Sequence, residues 1–358
     1  MKVVILIPTK NRTSFVIKTI LYYNSLKSKH PLYIGDASNE TENKKIITFL
    51  KDIEHVEVRY FSWKNLDVEK TKLRLAEEAS RSSEFSFCTY CGDDDYFVPE
   101  SLTKMANFLS NNKDYKTAQG RAAMVEIDKA KSIGNIVGIS DYWHKPSLEN
   151  ETALERFINF KKNYYVLQFS VHRIDDFIIA SREFVKITEN NDMSELLHCF
   201  LFAISGKSKF INCFQLIRVR HHNLFIKHLQ TNIFEQICDK NWYKNYDQLI
   251  NSLVYALIKN QTNLSESEAK EKVKIMLSEY IDSQFRKKLQ INIKKNIYFN
   301  YKKIIKIILP KFIFSRLQII IKTILKKDID LLIYKKAKFY NDFIPIEKSL
   351  NGKLNKDN

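Results

Sequence analysis

Residues 3–7 read VVILI, an unbroken apolar and largely β-branched run that stops at Pro8 and gives way to the polar stretch PTKNR. A strand with no polar alternation is covered on both faces, which requires a sheet with helices packed above and below it. The following residues repeat this unit. Thr13 to about Leu26 carries Phe15, Ile17, Ile20, Leu21 and Tyr22 near helical spacing, and PLYIGDAS reads as a strand running into a polar loop. Residues 40–52 predict a short helix, VEVRYF a third strand, and Glu69 to Ser80 another helix with Leu73, Leu75, Ala76 and Ala79. FSFCTYC then predicts a fourth strand, and PESLTKMANFLSNN a helix with Pro in its first turn. Alternating strands and helices predict an α/β fold, and such sheets bind ligands at the carboxyl ends of their strands. The polar loops PTKNR, GDAS and GDDD all fall at those ends.

After Asn112 the pattern is less regular. AQGRAAMVEI predicts a strand, SDYWHKPSLENET a long loop, Ala153 to about Lys162 a helix, and YYVLQFSVHR a strand. A helix from about Met193 ends near Gly206, where glycine suits a left-handed cap, and FQLIRVRHH follows as a strand. Residues 230–290 read as amphipathic helices and NGKLNKDN as a frayed end.

At 358 residues, with 44% hydrophobic and 13% aromatic content, the chain is long and apolar enough for a sizeable core, which excludes wholesale disorder. MKVVILIP is too short for a secretory signal, and no stretch reaches the roughly 18 uninterrupted apolar residues of a spanning helix. The expected location is cytoplasmic. Cys88 and Cys91 form a CxxC, but no second ligand pair follows and the motif lies within a strand pattern. Strand packing is the reading for both. The net charge of +17 invites a nucleic-acid partner, yet it is concentrated: 294–338 holds thirteen Lys or Arg against Asp328 and Asp330. No recognisable aromatic-basic RNA motif accompanies it, and no nucleic acid is expected.

The triplet Asp93, Asp94 and Asp95 is the sharpest chemical feature. Three adjacent carboxylates repel one another unless water or a cation screens them. A solvated acidic turn is one reading, and a site for Mn2+ or Mg2+ shared with substrate phosphates is the other. If the strand persisted through the triplet, neighbouring side chains would point to opposite faces and all three could not chelate together.

VVILIPTKNR, IGDAS about thirty residues later, CGDDDYFVPESL, and the helix NDMSELLHCFLFAISGKSKFI together resemble nucleotide-sugar-dependent glycosyltransferases of the GT-A fold, family 2-like, over roughly residues 1–220. The resemblance implies a Rossmann-like, mostly parallel mixed sheet flanked by helices, with a C-terminal α-helical extension. It implies a nucleotide-sugar-binding half over 1–112 and an acceptor half over 113–225, and the amphipathic pattern beyond adds a helical extension over 226–292. Basic amphipathic helices over 293–345 and a disordered tail over 346–358 complete the expected organisation. Registered on Pro99, it makes Asp94 the metal ligand with Asp95 in support and puts Asp93 near the ribose; a shift of one position would make Asp93 and Asp95 the aspartate pair. Asp36 would meet the base or ribose, Pro8 and Thr9 would line the nucleoside pocket, and Lys10 and Arg12 would touch phosphate. Arg220 or His222 would assist with the diphosphate. An inverting transfer needs a general base, for which Asp192 leads and Glu195 follows. As plain structure, Asp192 would be a helix N-cap and Glu195 a first-turn acid favoured by the helix dipole.

The same resemblance implies a glycan or lipid-linked acceptor in bacterial surface polysaccharide synthesis. Past Pro310, Lys311, Ser315, Gln318, Lys322 and Lys326 share one helical face, and Phe312, Ile313, Leu317, Ile320 and Ile321 occupy much of the rest. That pattern suits an anionic membrane surface met through 293–340, so attachment is expected on the inner face of the plasma membrane. Two alternatives stand beside this reading. A nucleotidyltransferase would use the carboxylates with a Gly-rich phosphate loop, but IPTKNRTS has no glycine. A non-catalytic basic RNA-binding protein is the other.

Overall fold

The computed structural model describes residues 1–129, 132–142, 146–187, 191–221, 233–286, 332–333 and 335–354. The first half alternates as the sequence predicts: β1 (Val4–Thr9), α1 (Thr13–Ser25), β2 (Leu32–Asp36), α2 (Glu40–Leu50), β3 (Val58–Ser62), α3 (Val68–Ser80) and β4 (Phe87–Tyr90). These strands are parallel, in the order β3-β2-β1-β4. Every residue of β1 is buried, because Val16 and Ile20 of α1 and Leu75, Ala76 and Ala79 of α3 join Val3–Ile7 in one core. The chain builds outward from β1 to β3, then returns through α3 to lay β4 on the other side of β1. Strand order therefore reverses between β1 and β4. At such a reversal the following loops diverge and leave a crevice at the carboxyl ends.

The second half is mixed. It comprises β5 (Tyr96–Phe97), α4 (Pro99–Asn111), β6 (Tyr115–Ile127), β7 (Ile136–Asp141), α5 (Ala153–Lys162), β8 (Val171–Arg173), α6 (Ile174–Phe184), α7 (Asn191–Ser205) and β9 (Lys207–Arg220). The sheet continues β4-β8-β6-β9-β5, with β7 also on β6. β8 is antiparallel to both neighbours, whereas β9 runs parallel to β6 and antiparallel to β5. Pairing of Tyr96 with Ile217 brings the carboxyl end of β9 back to the turn after β4. Beyond the sheet lie α8 (Ile233–Ile237), α9 (Trp242–Asn260), α10 over residues 266–286, and α11 (Tyr340–Leu350). The expected α/β class with a helical extension is what forms. No helix among the described residues is long and apolar enough to cross a membrane.

Three local expectations are corrected. Only Val171–Arg173 of YYVLQFSVHR is a strand. Its apolar side chains are buried, but side chains rather than a ladder satisfy the preceding backbone. Leu167 N donates to Cys199 Sγ at 3.3 Å, while Phe169 O accepts from Gln215 Nε2 at 2.8 Å and Ser170 O from Thr89 Oγ1 at 2.9 Å. Gly206 is not a left-handed cap; a Cβ there would lie 2.3 Å from Lys116 Cγ, so close approach explains the glycine. The expected disordered tail over 346–358 begins inside α11, where Phe343, Ile346 and Leu350 are wholly buried. Tyr96 Oη and Ser349 Oγ lie 3.0 Å apart, and Gly134 N donates to Leu350 O at 3.0 Å. Apolar spacing on this short helix outweighs the polar residues after it. Cys88 and Cys91 are buried free thiols, as strand packing requires.

Phe343→Ala should cost about 3–5 kcal/mol in urea unfolding, the usual range for a buried aromatic truncation; an unchanged midpoint would return α11 to a dispensable tail. His30 supplies a pH test. Its Nδ1 accepts from Val3 N at 2.9 Å, Nε2 lies 2.9 Å from Pro99 O, and burial lowers its pKa to about 4. A base held neutral in the fold contributes stability that is full above its unfolded pKa of roughly 6.5 and is lost as pH falls towards 4. Between pH 7 and pH 5 this loss should be about 2 kcal/mol in the wild type. His30→Gln should remove that share of the pH dependence.

Candidate active site

β4 ends at Tyr90, and Gly92–Asp95 fold into a turn closed by Asp95 N donating to Gly92 O at 3.2 Å. The strand does not persist through the triplet, so strand alternation does not sort its side chains. Each carboxylate meets cationic or polar groups from other elements. Asp93 accepts Thr9 Oγ1 at 2.7 Å and Arg12 Nε at 2.9 and 3.0 Å, tying the β4 turn to the loop after β1. Asp94 Oδ2 accepts Arg12 Nη2 at 2.6 Å and lies 2.9 Å from His221 Nε2. Asp95 Oδ1 accepts Val219 N at 3.0 Å, and its Oδ2 forms an ion pair with Arg218 Nε at 2.6 Å.

Burial and partners divide the three. Burial pushes Asp93 up to about 6 against the pull of Arg12, and pushes Asp95 up to about 7 against that of Arg218. Burial acts on Asp94 as well, but the His221 hydrogen bond and the charge of Arg12 hold it below the usual carboxylate range. Asp94 is therefore the carboxylate held most firmly ionised, and its side chain keeps 13% exposure against 1% for Asp95. The cations are also seated. Arg12 lies over the Phe15 ring at 4.0 Å, Phe15 stacks on His221 at 5.0 Å, and Arg218 lies over Phe169 at 4.1 Å. Lys18, buried beside the same carboxylates and donating to Ser132 O, is lowered to about 8 by burial.

The structure brings together Thr9, Arg12, Asp93, Asp94 and Asp95 of the residues singled out by sequence. Pro8 is buried in β1 beside Gly35, and Lys10 is exposed. Asp36 is fully buried, with Oδ1 accepting Ser38 N at 2.8 Å and Oδ2 accepting Tyr60 Oη at 2.7 Å. Arg220 is exposed, while His222 and the basic segment 293–331 lie outside the described residues. Asp192 and Glu195 sit in the first turns of α7. Asp192 Oδ2 accepts Gln236 Nε2 at 2.7 Å; Glu195 accepts Gln168 Nε2 at 2.8 Å and Tyr164 Oη at 3.5 Å. Burial raises both carboxyls.

Sequence reasoning missed Arg218 and His221, although both lie within RVRHHN. The run announced cations at a strand end, but only the register of β9 decides which of them turn inward. Lys18 was also missed, because a lysine on an amphipathic helix carries no sign of burial.

The acidic turn can be tested against a divalent cation. Among the described residues, no three of His, Cys, Asp or Glu are gathered into a metal cage. Among the described residues, the hydrogen bonds to Asp94 fall on Oδ2 rather than Oδ1, and His221 Nε2 is engaged with Oδ2. One carboxylate together with substrate phosphates is an ordinary donor set for Mg2+, so these residues fit a shared cation better than a structural one.

No family model matches the sequence, and no curated protein matches it. Among solved structures, the chain is similar to residues 1–349 of S. aureus TarS, at 11% identity and a TM-score of 0.45, covering 77% of this chain and 71% of that one. The same TarS region in complex with UDP-GlcNAc gives 12% identity and a TM-score of 0.49, covering 77% and 72%. Its UDP complex gives 10% and 0.44, covering 77% and 71%. At this distance, the functional reading rests on the chain's own side chains.

Arg218→Met should leave Asp95 buried without its counter-charge and cost about 3–5 kcal/mol in chemical unfolding. The double variant R218M/D95N should recover most of that loss, whereas simple additivity would mean the two groups are not coupled.

Proposed function

We propose that this protein is a metal-dependent, inverting glycosyltransferase that moves a sugar from a nucleoside-diphosphate donor to a glycan or lipid-linked acceptor in bacterial surface polysaccharide synthesis. The observation that carries this reading is the joining of the β1 loop to the acidic turn, through Thr9, Arg12, Asp93 and Asp94, at the point where strand order reverses. An α/β sheet receives its ligand at such a point, and the groups gathered here are a guanidinium, a buried imidazole and an ionised carboxylate. That combination suits a diphosphate whose charge grows as the glycosidic bond breaks.

Asp94 would hold Mn2+ or Mg2+ together with the donor's phosphates, and the cation would supply positive charge to the departing diphosphate. Arg12 offers the diphosphate a planar fork of donors. Arg218 keeps Asp95 ionically paired and so fixes the turn. Pro8 and the backbone of the β1 and β2 loops border the nucleoside side.

Asp192 is the base that takes the acceptor hydroxyl's proton. Its pKa is raised by burial, as a base working near neutrality requires, and its described hydrogen bond uses Oδ2 alone. Both oxygens of Glu195 accept hydrogen bonds, so Glu195 orients the acceptor side. The basic segment 293–340 supports residence on an anionic membrane surface by its composition alone.

The test is nucleotide-sugar turnover and nucleotide binding with Mn2+, screened over a panel that includes UDP-GlcNAc. Asp94→Ala should abolish turnover. Asp192→Asn should lower kcat by about 100-fold or more while donor binding persists, in keeping with the contribution of a general base. Full transfer by D192N would remove the base assignment, and a Mn2+-independent wild type would remove the cation.

A further inference from the structure

We infer that Arg12 is a resident counter-ion of the acidic turn, which a divalent cation and a nucleoside diphosphate displace together. This rests on the glycosyltransferase reading for its ligand, though the arrangement itself is a property of the fold. One guanidinium bridges two carboxylates: Nε bonds Asp93 at 2.9 and 3.0 Å, and Nη2 bonds Asp94 Oδ2 at 2.6 Å. Its guanidinium lies over the Phe15 ring, and the Asp94 side chain beside it keeps 13% exposure. A cation binding Asp94 has this positive charge as its neighbour.

Charge balance links the two ligands. Asp93, Asp94 and Asp95 already face Arg12 and Arg218, with Lys18 close behind. A divalent cation arriving alone adds positive charge to a compensated site. A diphosphate arriving with it restores the balance and accepts the guanidinium released from Asp94. Only the side chain has to move. The Arg12 carbonyl stays in place, accepting Phe15 N at 2.9 Å and Val16 N at 3.2 Å at the start of α1. Cation and nucleotide therefore bind with positive coupling, and each raises the affinity of the other by the same factor.

The experiment measures Mn2+ binding to the full chain by electron paramagnetic resonance of free Mn2+, without nucleotide and then with UDP, GDP, CDP or dTDP. Without nucleotide, Arg12→Gln should bind Mn2+ about tenfold more tightly than wild type, within the usual range of coupling between sites. Arg12→Lys keeps the charge but loses the fork, and should gain less. Adding the nucleotide should raise Mn2+ affinity more in wild type than in R12Q. The R12Q/D94N variant should lose the gain. Equal Mn2+ affinities for wild type, R12Q and R12K would overturn the inference, as would a gain that survives D94N. Far-UV circular dichroism checks the fold of each variant, and R12K carries the test if R12Q does not fold. The two readings fail separately. Absence of binding of every nucleotide by wild type overturns the nucleotide-sugar assignment, while unchanged Mn2+ affinity in R12Q overturns the counter-ion.

Discussion

Three carboxylates in a row at the end of a buried strand are tolerated here because cations from distant parts of the chain meet them. Arg12 arrives from the loop after β1 and Arg218 from the end of β9, with the His221 imidazole set against Asp94. Isolated, each partly buried carboxylate would shed its charge by taking a proton; paired, the set keeps at least Asp94 ionised. This compensation also joins the halves of the fold, since the groups that neutralise the turn belong to both. One guanidinium therefore ties the loop after β1 to two carboxylates of the turn.

The mixed second half of the sheet is what makes that arrangement possible. Four parallel strands alone would place the loops after β1 and β4 side by side, with only Arg12 and Lys18 to face the acids. The return of β9 alongside β5 sets Val219 N against Asp95 and turns His221 towards Asp94. In the same half, α7 carries Asp192 and Glu195, with Gln168 and Tyr164 from the irregular segment before β8 holding Glu195 in place. That segment is not a strand, and its side chains meet Glu195 and Arg218 instead.

α11 adds a second kind of closure. It rests Ser349 against Tyr96, directly after the acidic turn, and buries Phe343, Ile346 and Leu350. A chain end that looked dispensable therefore supports the floor beneath Asp95.

Much was legible in the sequence because it depends on local periodicity. VVILI, the alternation of the next hundred residues and the Pro at the start of α4 determined the parallel half, and the adjacency of Asp93 to Asp95 marked the turn. What tertiary structure alone decided was partnership. Which residues near the end of β9 meet Asp95 turns on strand register, which sets Arg218 and the Val219 amide against it and leaves composition unchanged. Whether Asp36 stays open or closes on Ser38 and Tyr60 depends on a neighbouring strand 24 residues away. Local sequence specifies which groups are available, and only the packed fold sets the distances at which their charges meet.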